Sequence, residues 1–253
     1  MAWDPDRYLQ FADLRTRPGL ELIARIPDLE PKQIVDLGSG TGNLTSVIAE
    51  RWPEAEVAGI DSSPKMVERA AHDHRSVAWQ MVSIEDWSPS SPVDLIYSNA
   101  TLHWLDDHEA LFRRLRSYLS VTGVLAVQMP DNWGAPTHVI PQRILDDGSW
   151  SEPAAQSMMR DRLSKPDRYR SWTQPSDVEM WRTTYFQTLT GVDPVWTWVT
   201  GSVLRPVLAH MGPAERSRFE ELCKEGYRRA YPPASNGETT LPFSRLFLVA
   251  RAR

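Results

Sequence analysis

At 253 residues the chain has room for one α/β domain with a modest elaboration, and its net charge of −5 and pI near 5.7 argue against a nucleic-acid partner, whose phosphates demand a basic footprint. Cys223 is the only cysteine, which excludes a disulfide framework and a thiolate metal site, so no metal is expected. The N-terminus lacks a signal-peptide pattern and no apolar run suffices to span a bilayer, so a cytoplasmic protein with no membrane partner is expected. A monomer is expected as well.

In chain order, Tyr8, Phe11, Leu14, Leu20, Leu22 and Ile23 mark one or two N-terminal cap helices within residues 1–30. From Gln33 to about Pro130, apolar runs alternate with helix-type segments, the pattern of a parallel sheet with helices on both faces. Strands are predicted at Ile34–Leu37, Glu56–Ile60, Val77–Val82, Val93–Ser98 and Val124–Met129, with helices starting near Gly42, Pro64 and Asp106. Ser62-Ser63-Pro64 supplies a serine cap and a first-turn proline, and Leu111, Leu115, Tyr118 and Leu119 recur at helical spacing after Asp106-Asp107. Residues 131–176 are rich in Pro, Ser, Asp and Arg and read as a loop-rich insertion. Residues 177–253 read as C-terminal strands, Val178–Leu189 and Leu241–Ala250, with an inserted helical cap at Pro194–His210 and Pro213–Tyr231.

The most informative stretch is Asp36-Leu37-Gly38-Ser39-Gly40-Thr41-Gly42-Asn43, followed by a second apolar run that ends in Asp61. Glycines let a backbone turn sharply against a ligand, and a carboxylate at a strand tip can take both hydroxyls of a ribose. The glycines alone would equally suit a bare strand-to-helix turn; the two carboxylates favour a nucleotide-type cofactor site. A dinucleotide fingerprint would place a third glycine where Asn43 stands. Asp36 also repels a pyrophosphate, whereas it suits a ligand with a sulfonium and an ammonium. Further on, Ser83-Ile84-Glu85-Asp86-Trp87 follows the third strand and Ser98-Asn99-Ala100-Thr101-Leu102-His103-Trp104 the fourth. His103 is either a general base or a packed residue at a helix start.

The glycine motif resembles the first motif of class I S-adenosylmethionine methyltransferases. Trp3-Asp4-Pro5-Asp6-Arg7-Tyr8, Arg15-Thr16-Arg17-Pro18, Gln128-Met129-Pro130-Asp131-Asn132-Trp133, Trp181-Arg182-Thr183-Thr184-Tyr185, Trp198-Val199-Thr200-Gly201 and Pro242-Phe243-Ser244-Arg245 resemble the trans-aconitate methyltransferase family over nearly the whole chain, least well from about 144 to 175. That resemblance implies an α/β, doubly wound, mostly parallel seven-stranded, Rossmann-like sheet with a helical substrate cap, residues 31–130 forming the cofactor-binding core of one methyltransferase domain. It implies S-adenosylmethionine as cofactor, held by Asp36, Gly38, Gly40, Gly42, Asn43, Asp61, Ser62, Met66, Ser83, Ile84, Glu85 and Asn99. Met66 lies on the adenine face or packs in the core, and Ser83 stands where the superfamily often has an acidic residue. A small polycarboxylate would be esterified, held by Arg15, Arg17, Arg182, Arg205 and Arg245 with Gln128, Trp133 and Trp198, and positioned by Tyr8, Asn132 and Tyr185. A carboxylate is already a nucleophile at neutral pH, so no base is required. The alternatives are methylation of another small carboxylic acid or natural-product oxygen, or a non-catalytic regulatory protein that binds the cofactor.

Overall fold

The structure, a computed structural model, describes residues 12–147, 150–156 and 163–253, and the side chains of residues 12–15 lie outside the description. Seven strands form one sheet: β1 (Gln33–Leu37), β2 (Glu56–Asp61), β3 (Ala78–Met81), β4 (Val93–Asn99), β5 (Leu119–Pro130), β6 (Ser176–Leu189) and β7 (Thr239–Ala252). Their order is β3-β2-β1-β4-β5-β7-β6. The pairs among β3, β2, β1, β4 and β5 are parallel, whereas β7 runs antiparallel to β5. This is the doubly wound, mostly parallel α/β sheet expected from the sequence.

The central strands are apolar because helices cover both faces. Ile34, Leu37, Ile60, Leu95 and Ile96 are fully buried, and β5 is buried continuously from Gly123 to Met129. Each such side chain contributes about 1.5–3 kcal/mol through burial. The connecting helices are α1 (Ala12–Arg25), α2 (Asn43–Arg51), α3 (Pro64–Asp73) and α4 (His108–Ser117). Asp107 caps α4 by accepting from Ala110 N at 3.1 Å, one residue beyond the expected start. At α3 the expected serine cap is absent: Ser63 makes no capping bond through its side chain, and its N–H instead donates to Asp61 Oδ1 at 2.8 Å.

Two expectations are corrected. The segment read as loop-rich carries three short helices, α5 (Pro136–Leu145), α6 (Glu152–Gln156) and α7 (Pro166–Trp172). The single helix expected over Pro194–His210 is two, α8 (Pro194–Thr200) and α9 (Arg205–Ala209), interrupted at Gly201–Leu204. α10 (Pro213–Ala230) then follows as expected.

The described residues fall into two compact units. The larger comprises those up to 130 with 163–183 and 245–253; the smaller comprises those of 131–162 with 184–244. In the larger unit, Phe112, Leu115, Tyr169 and Trp172 join the sheet's side chains in one hydrophobic cluster. Tyr169 donates its hydroxyl to His108 Nδ1 at 2.6 Å, while His108 Nε2–H donates to the carbonyl of Leu102 at 3.1 Å. In the smaller unit α10 packs on α5 and α8, with Tyr227 donating to the Thr137 carbonyl at 3.2 Å. No helix of the described residues is long and apolar enough to cross a membrane.

Candidate active site

The carboxyl ends of β1, β2 and β4 meet in the larger unit, the place where open α/β sheets take ligands. Gly38 and Ser39 both donate backbone N–H groups to the Ile60 carbonyl, at 2.8 and 2.9 Å, which ties the loop after β1 to β2. Gly38, Gly40 and Gly42 all have positive φ, between 57° and 82°, which only glycine adopts without strain. They differ in what a side chain would meet. A Cβ on Gly38 would lie 2.2 Å from Thr101, and one on Gly42 2.4 Å from Trp79, so both are closed by packing. At Gly40 a Cβ would meet nothing within 4 Å. Gly40 is itself part of the lining of a cleft that also takes in Thr16, Asp36, Ser39, Asn43, Tyr97 and Asn99. The enclosed volume is about 60 Å³, which accommodates the end of a ligand rather than a whole nucleoside.

These contacts set the outcome of two substitutions. Gly38→Ala is expected to destabilise the fold by about 2–4 kcal/mol, from the left-handed backbone together with the clash on Thr101. Gly40→Ala should cost only the backbone strain of about 1–2 kcal/mol, yet it adds a methyl in open space at a residue that lines the cleft and should weaken cofactor binding by about tenfold or more. Thermal melts and calorimetric titration of the two variants check this; equal destabilisation of both would refute the distinction.

The two acidic residues have different surroundings. Asp36 is 2 % exposed and accepts a hydrogen bond from Thr45 Oγ1 at 2.6 Å. Burial pushes its carboxyl up to about 7, partly offset by the Thr45 hydroxyl, and the charge of Asp61 adds to the rise. Asp61 accepts from Gly40 N at 3.0 Å through Oδ2 and from Ser63 N through Oδ1. Burial raises its pKa, and those two N–H groups hold it back. Each carboxylate oxygen of Asp61 retains acceptor capacity, since it has two lone pairs and takes one bond from the protein.

After β4, Ala100 adopts a left-handed conformation (φ 54°), and its N–H donates to the Gln128 carbonyl at 2.9 Å. Thr101 then donates to the Gly38 carbonyl at 3.2 Å, locking this loop against the glycine loop. Asn99 lines the cleft with a buried Oδ1 that has no partner. His103 sits in the short turn Leu102–Trp104 with its ring 4.8 Å from that of Trp104. Tyr97 donates to the Gly19 carbonyl at 3.0 Å and fixes α1 to the sheet. Burial, and secondarily Asp36, raises its pKa well above the ordinary phenol range, so it stays a neutral donor.

Sequence reasoning assigned no site role to Thr16 and Thr101, although both lie in segments it singled out, and it missed Thr45 and Tyr97, which carry no local signature. Among the expected cofactor residues, Ser62 and Glu85 are exposed and Ile84 and Met66 are buried, Met66 to 4 % on α3. Ser83 does not present a free hydroxyl: it donates to Asp86 Oδ2 at 2.8 Å and accepts from Asp86 N at 3.1 Å.

For the expected acceptor-holding residues the larger unit contains Arg17, Gln128, Arg182 and Arg245. Arg17 is exposed on α1, Arg245 is 4 % exposed on β7, and Gln128 is fully buried on β5. Arg182 does not share their face. Its neighbours Trp181 and Thr183 both donate to Glu21 Oε1 on α1, and Trp181 stacks on Phe247 at 4.8 Å, so alternation turns Arg182 to the opposite side. This corrects its grouping with Arg245. In the smaller unit, Asn132 Nδ2 and Trp133 Nε1 are buried without partners among the described residues. Trp133 lies 5.2 Å from His138, whose pKa burial pushes down to about 4. Trp198 packs edge-on to Phe243, Tyr185 is buried on β6, and Arg205 opens α9. Tyr8 and the side chain of Arg15 lie outside the described residues. No cluster of three or more metal-ligating side chains occurs among the described residues.

A methyltransferase-domain family matches residues 8–194. Trans-aconitate 2-methyltransferase of Klebsiella pneumoniae (strain 342) is 40% identical over 251 residues, covering 98% of this chain and 97% of its own. Among solved structures, the YcgJ protein from Bacillus subtilis superposes with a TM-score of 0.58 at 14% identity, over 93% of this chain and 97% of that one. Phosphoethanolamine N-methyltransferase 2 of Haemonchus contortus, in complex with S-adenosyl-L-methionine, gives 0.54 at 14% identity, over 94% and 53%. These two likenesses show the fold.

Proposed function

We propose, since the chain belongs to the trans-aconitate 2-methyltransferase family, that it transfers a methyl group from S-adenosylmethionine to one carboxylate of trans-aconitate, giving a monomethyl ester. The observation that carries this reading is the relationship over 98% of the chain, since the glycine motif by itself says only methyltransferase. The cleft fits the cofactor on its own terms: Gly40 leaves open the space a Cβ would fill, Asn99 offers an unpaired buried acceptor, and Asp61 keeps lone pairs at a strand tip.

In this assignment residues 31–130 form the cofactor-binding core. Asp61 takes the ribose hydroxyls and Asp36 faces the positively charged end, with Gly38, Gly42 and Asn43 shaping the loop. Ser62, Met66, Ile84 and Glu85 border the adenine. Arg245 and Arg17 grip the carboxylates that do not react, because a guanidinium matches a carboxylate with two parallel hydrogen bonds. When bound, S-adenosylmethionine supplies an electrophilic methyl group: a carboxylate oxygen takes it as the carbon–sulfur bond breaks and the electron pair stays on sulfur. The protein's part is to align that oxygen and exclude water. We place the enzyme in the cytoplasm, which its single cysteine suits, and take it to act as a monomer.

Incubating purified protein with S-adenosylmethionine and a panel of di- and tricarboxylates, with ester formation as readout, tests this. Trans-aconitate should be the preferred acceptor. Turnover confined to another acid would move the assignment to that acid, and cofactor binding without turnover on any acid would refute the enzyme.

No proton leaves the acceptor, so the rate under saturating cofactor should be nearly flat from about pH 6.5 to 8.5 and fall only as substrate carboxylates protonate. His103→Gln should keep that shape. A steep rise near pH 6 to 7 that vanishes in His103→Gln would instead point to a hydroxyl or phenol as the acceptor.

A further inference from the structure

We infer that the side-chain amide of Gln128 is the neutral donor that orients the reacting carboxylate, from a sheet face it shares with Asn99 and Arg245. The inference rests on the carboxyl-methylation reading above. Gln128 is fully buried on β5, and among the described residues neither its Oε1 nor its Nε2 has a hydrogen-bond partner. Its backbone, by contrast, is committed, since its carbonyl accepts from Ala100 N at 2.9 Å. Leaving a buried amide unsatisfied is costly, and a Met or Leu of similar volume would fill the position without that cost. The amide is therefore explained by a polar group that the described residues do not supply.

Register identifies its neighbours. Asn99 is the parallel partner of Gln128 and Phe247 its antiparallel partner, so all three side chains share one face; Arg245 lies two residues from Phe247 and shares it too. Asn99 lines the glycine cleft and has its own unpartnered Oδ1, and Arg245 is 4 % exposed. On this face Asn99 and Gln128 thus stand side by side across β4 and β5, beside the cleft, and the buried cation Arg245 lies diagonally beyond them on β7, opposite Pro130. A polyanion lying across this face would set one carboxylate on the amide and another on the guanidinium.

The division of labour follows from the charge change. The attacking oxygen's electron pair forms the new carbon–oxygen bond while the carbon–sulfur pair stays on sulfur, so the carboxylate loses its negative charge and no proton moves. A guanidinium on that carboxylate would bind the ground state more tightly than the transition state and slow the step. An amide N–H on the non-attacking oxygen fixes direction with less to lose.

The test begins with wild-type protein and the acid it esterifies, then compares Gln128→Met and Gln128→Glu. Gln128→Met should melt at the same temperature or higher, keep its S-adenosylmethionine dissociation constant within twofold, and lose kcat about tenfold or more. Its tricarboxylate affinity, titrated in the presence of S-adenosylhomocysteine, should change less than kcat does. Gln128→Glu sets a charge against the acceptor and should weaken tricarboxylate binding by at least tenfold with cofactor affinity retained. Wild-type protein that esterifies no acid would remove the underlying reading. An active wild type with a Gln128→Met variant of equal kcat, or one that loses stability and cofactor binding together, would overturn the inference alone.

Discussion

Replacing Asp61 with alanine is expected to raise the dissociation constant for S-adenosylmethionine by about ten- to a hundredfold while the sheet stays folded. A hydrogen bond to a charged group is worth about 1.5–3 kcal/mol, and each 1.4 kcal/mol is a tenfold change. Asp61 does two jobs that the substitution removes together. In the proposed assignment its oxygens take the ribose hydroxyls, and its Oδ2 holds the N–H of Gly40, a glycine with open space beside it. The core does not depend on it, because Gly38 N and Ser39 N reach the Ile60 carbonyl without the side chain. Calorimetric titration of the folded variant decides the matter, and unchanged affinity would remove Asp61 from the site. The same variant should also let Asp36 ionise at lower pH, since one source of negative charge beside it is gone.

Replacing Asp36 with asparagine should stabilise the ligand-free protein at pH 8 and weaken cofactor binding. The direction follows from the buried carboxyl, raised from 3.8 to about 7. Below about pH 4 it is protonated both folded and unfolded, so it costs nothing. Between about pH 4 and 7 the unfolded chain is ionised while the folded protein holds its proton, and stability falls as pH rises by about 1.4 kcal/mol per unit. Above about pH 7 the loss levels off near 4 kcal/mol. Asparagine removes that dependence and still accepts from Thr45. The melting temperature of the variant should therefore exceed wild type by several degrees at pH 8, with the gap narrowing towards pH 5. A cation in the cleft reverses the preference by favouring ionised Asp36, so wild-type affinity for S-adenosylmethionine should decline below pH 7. A constant difference in melting temperature across pH would refute this account. The residue trades stability of the empty protein for attraction of a positively charged ligand.

Much of the architecture was legible because it follows from local pattern. Apolar runs bounded by turn residues located six strands to within two residues, whereas β5 begins five residues before the expected Val124, at Leu119, which the spacing puts with the helix and which precedes a register shift opposite Val93 and Leu95. The helices of residues 131–176 escaped because Pro136 and Pro166 read as breakers, although a proline at the first helical position suits a helix start. Helices that short draw their stability from packing, which carries no periodic signature. The break at Gly201–Leu204 was hidden in an otherwise apolar stretch for the same reason.

What the sequence by itself determined was the turn after β1, the carboxylates Asp36 and Asp61, and the strand–helix alternation that implies a parallel sheet, because each depends on local pattern and on the conformations it permits. Only the tertiary structure decided the environments that set the chemistry. Thr45 reaches Asp36 from α2, Thr101 closes on Gly38 from beyond β4, and Gly40 alone of the three loop glycines faces open space. It also decided the phase of β6: side chains alternate with a period of two, so Arg182 was as well placed as its neighbours until Glu21 on α1 took the bonds of Trp181 and Thr183 and turned it away. Burial, register and charge at a distance are properties of the assembled sheet, and no spacing along the chain encodes them.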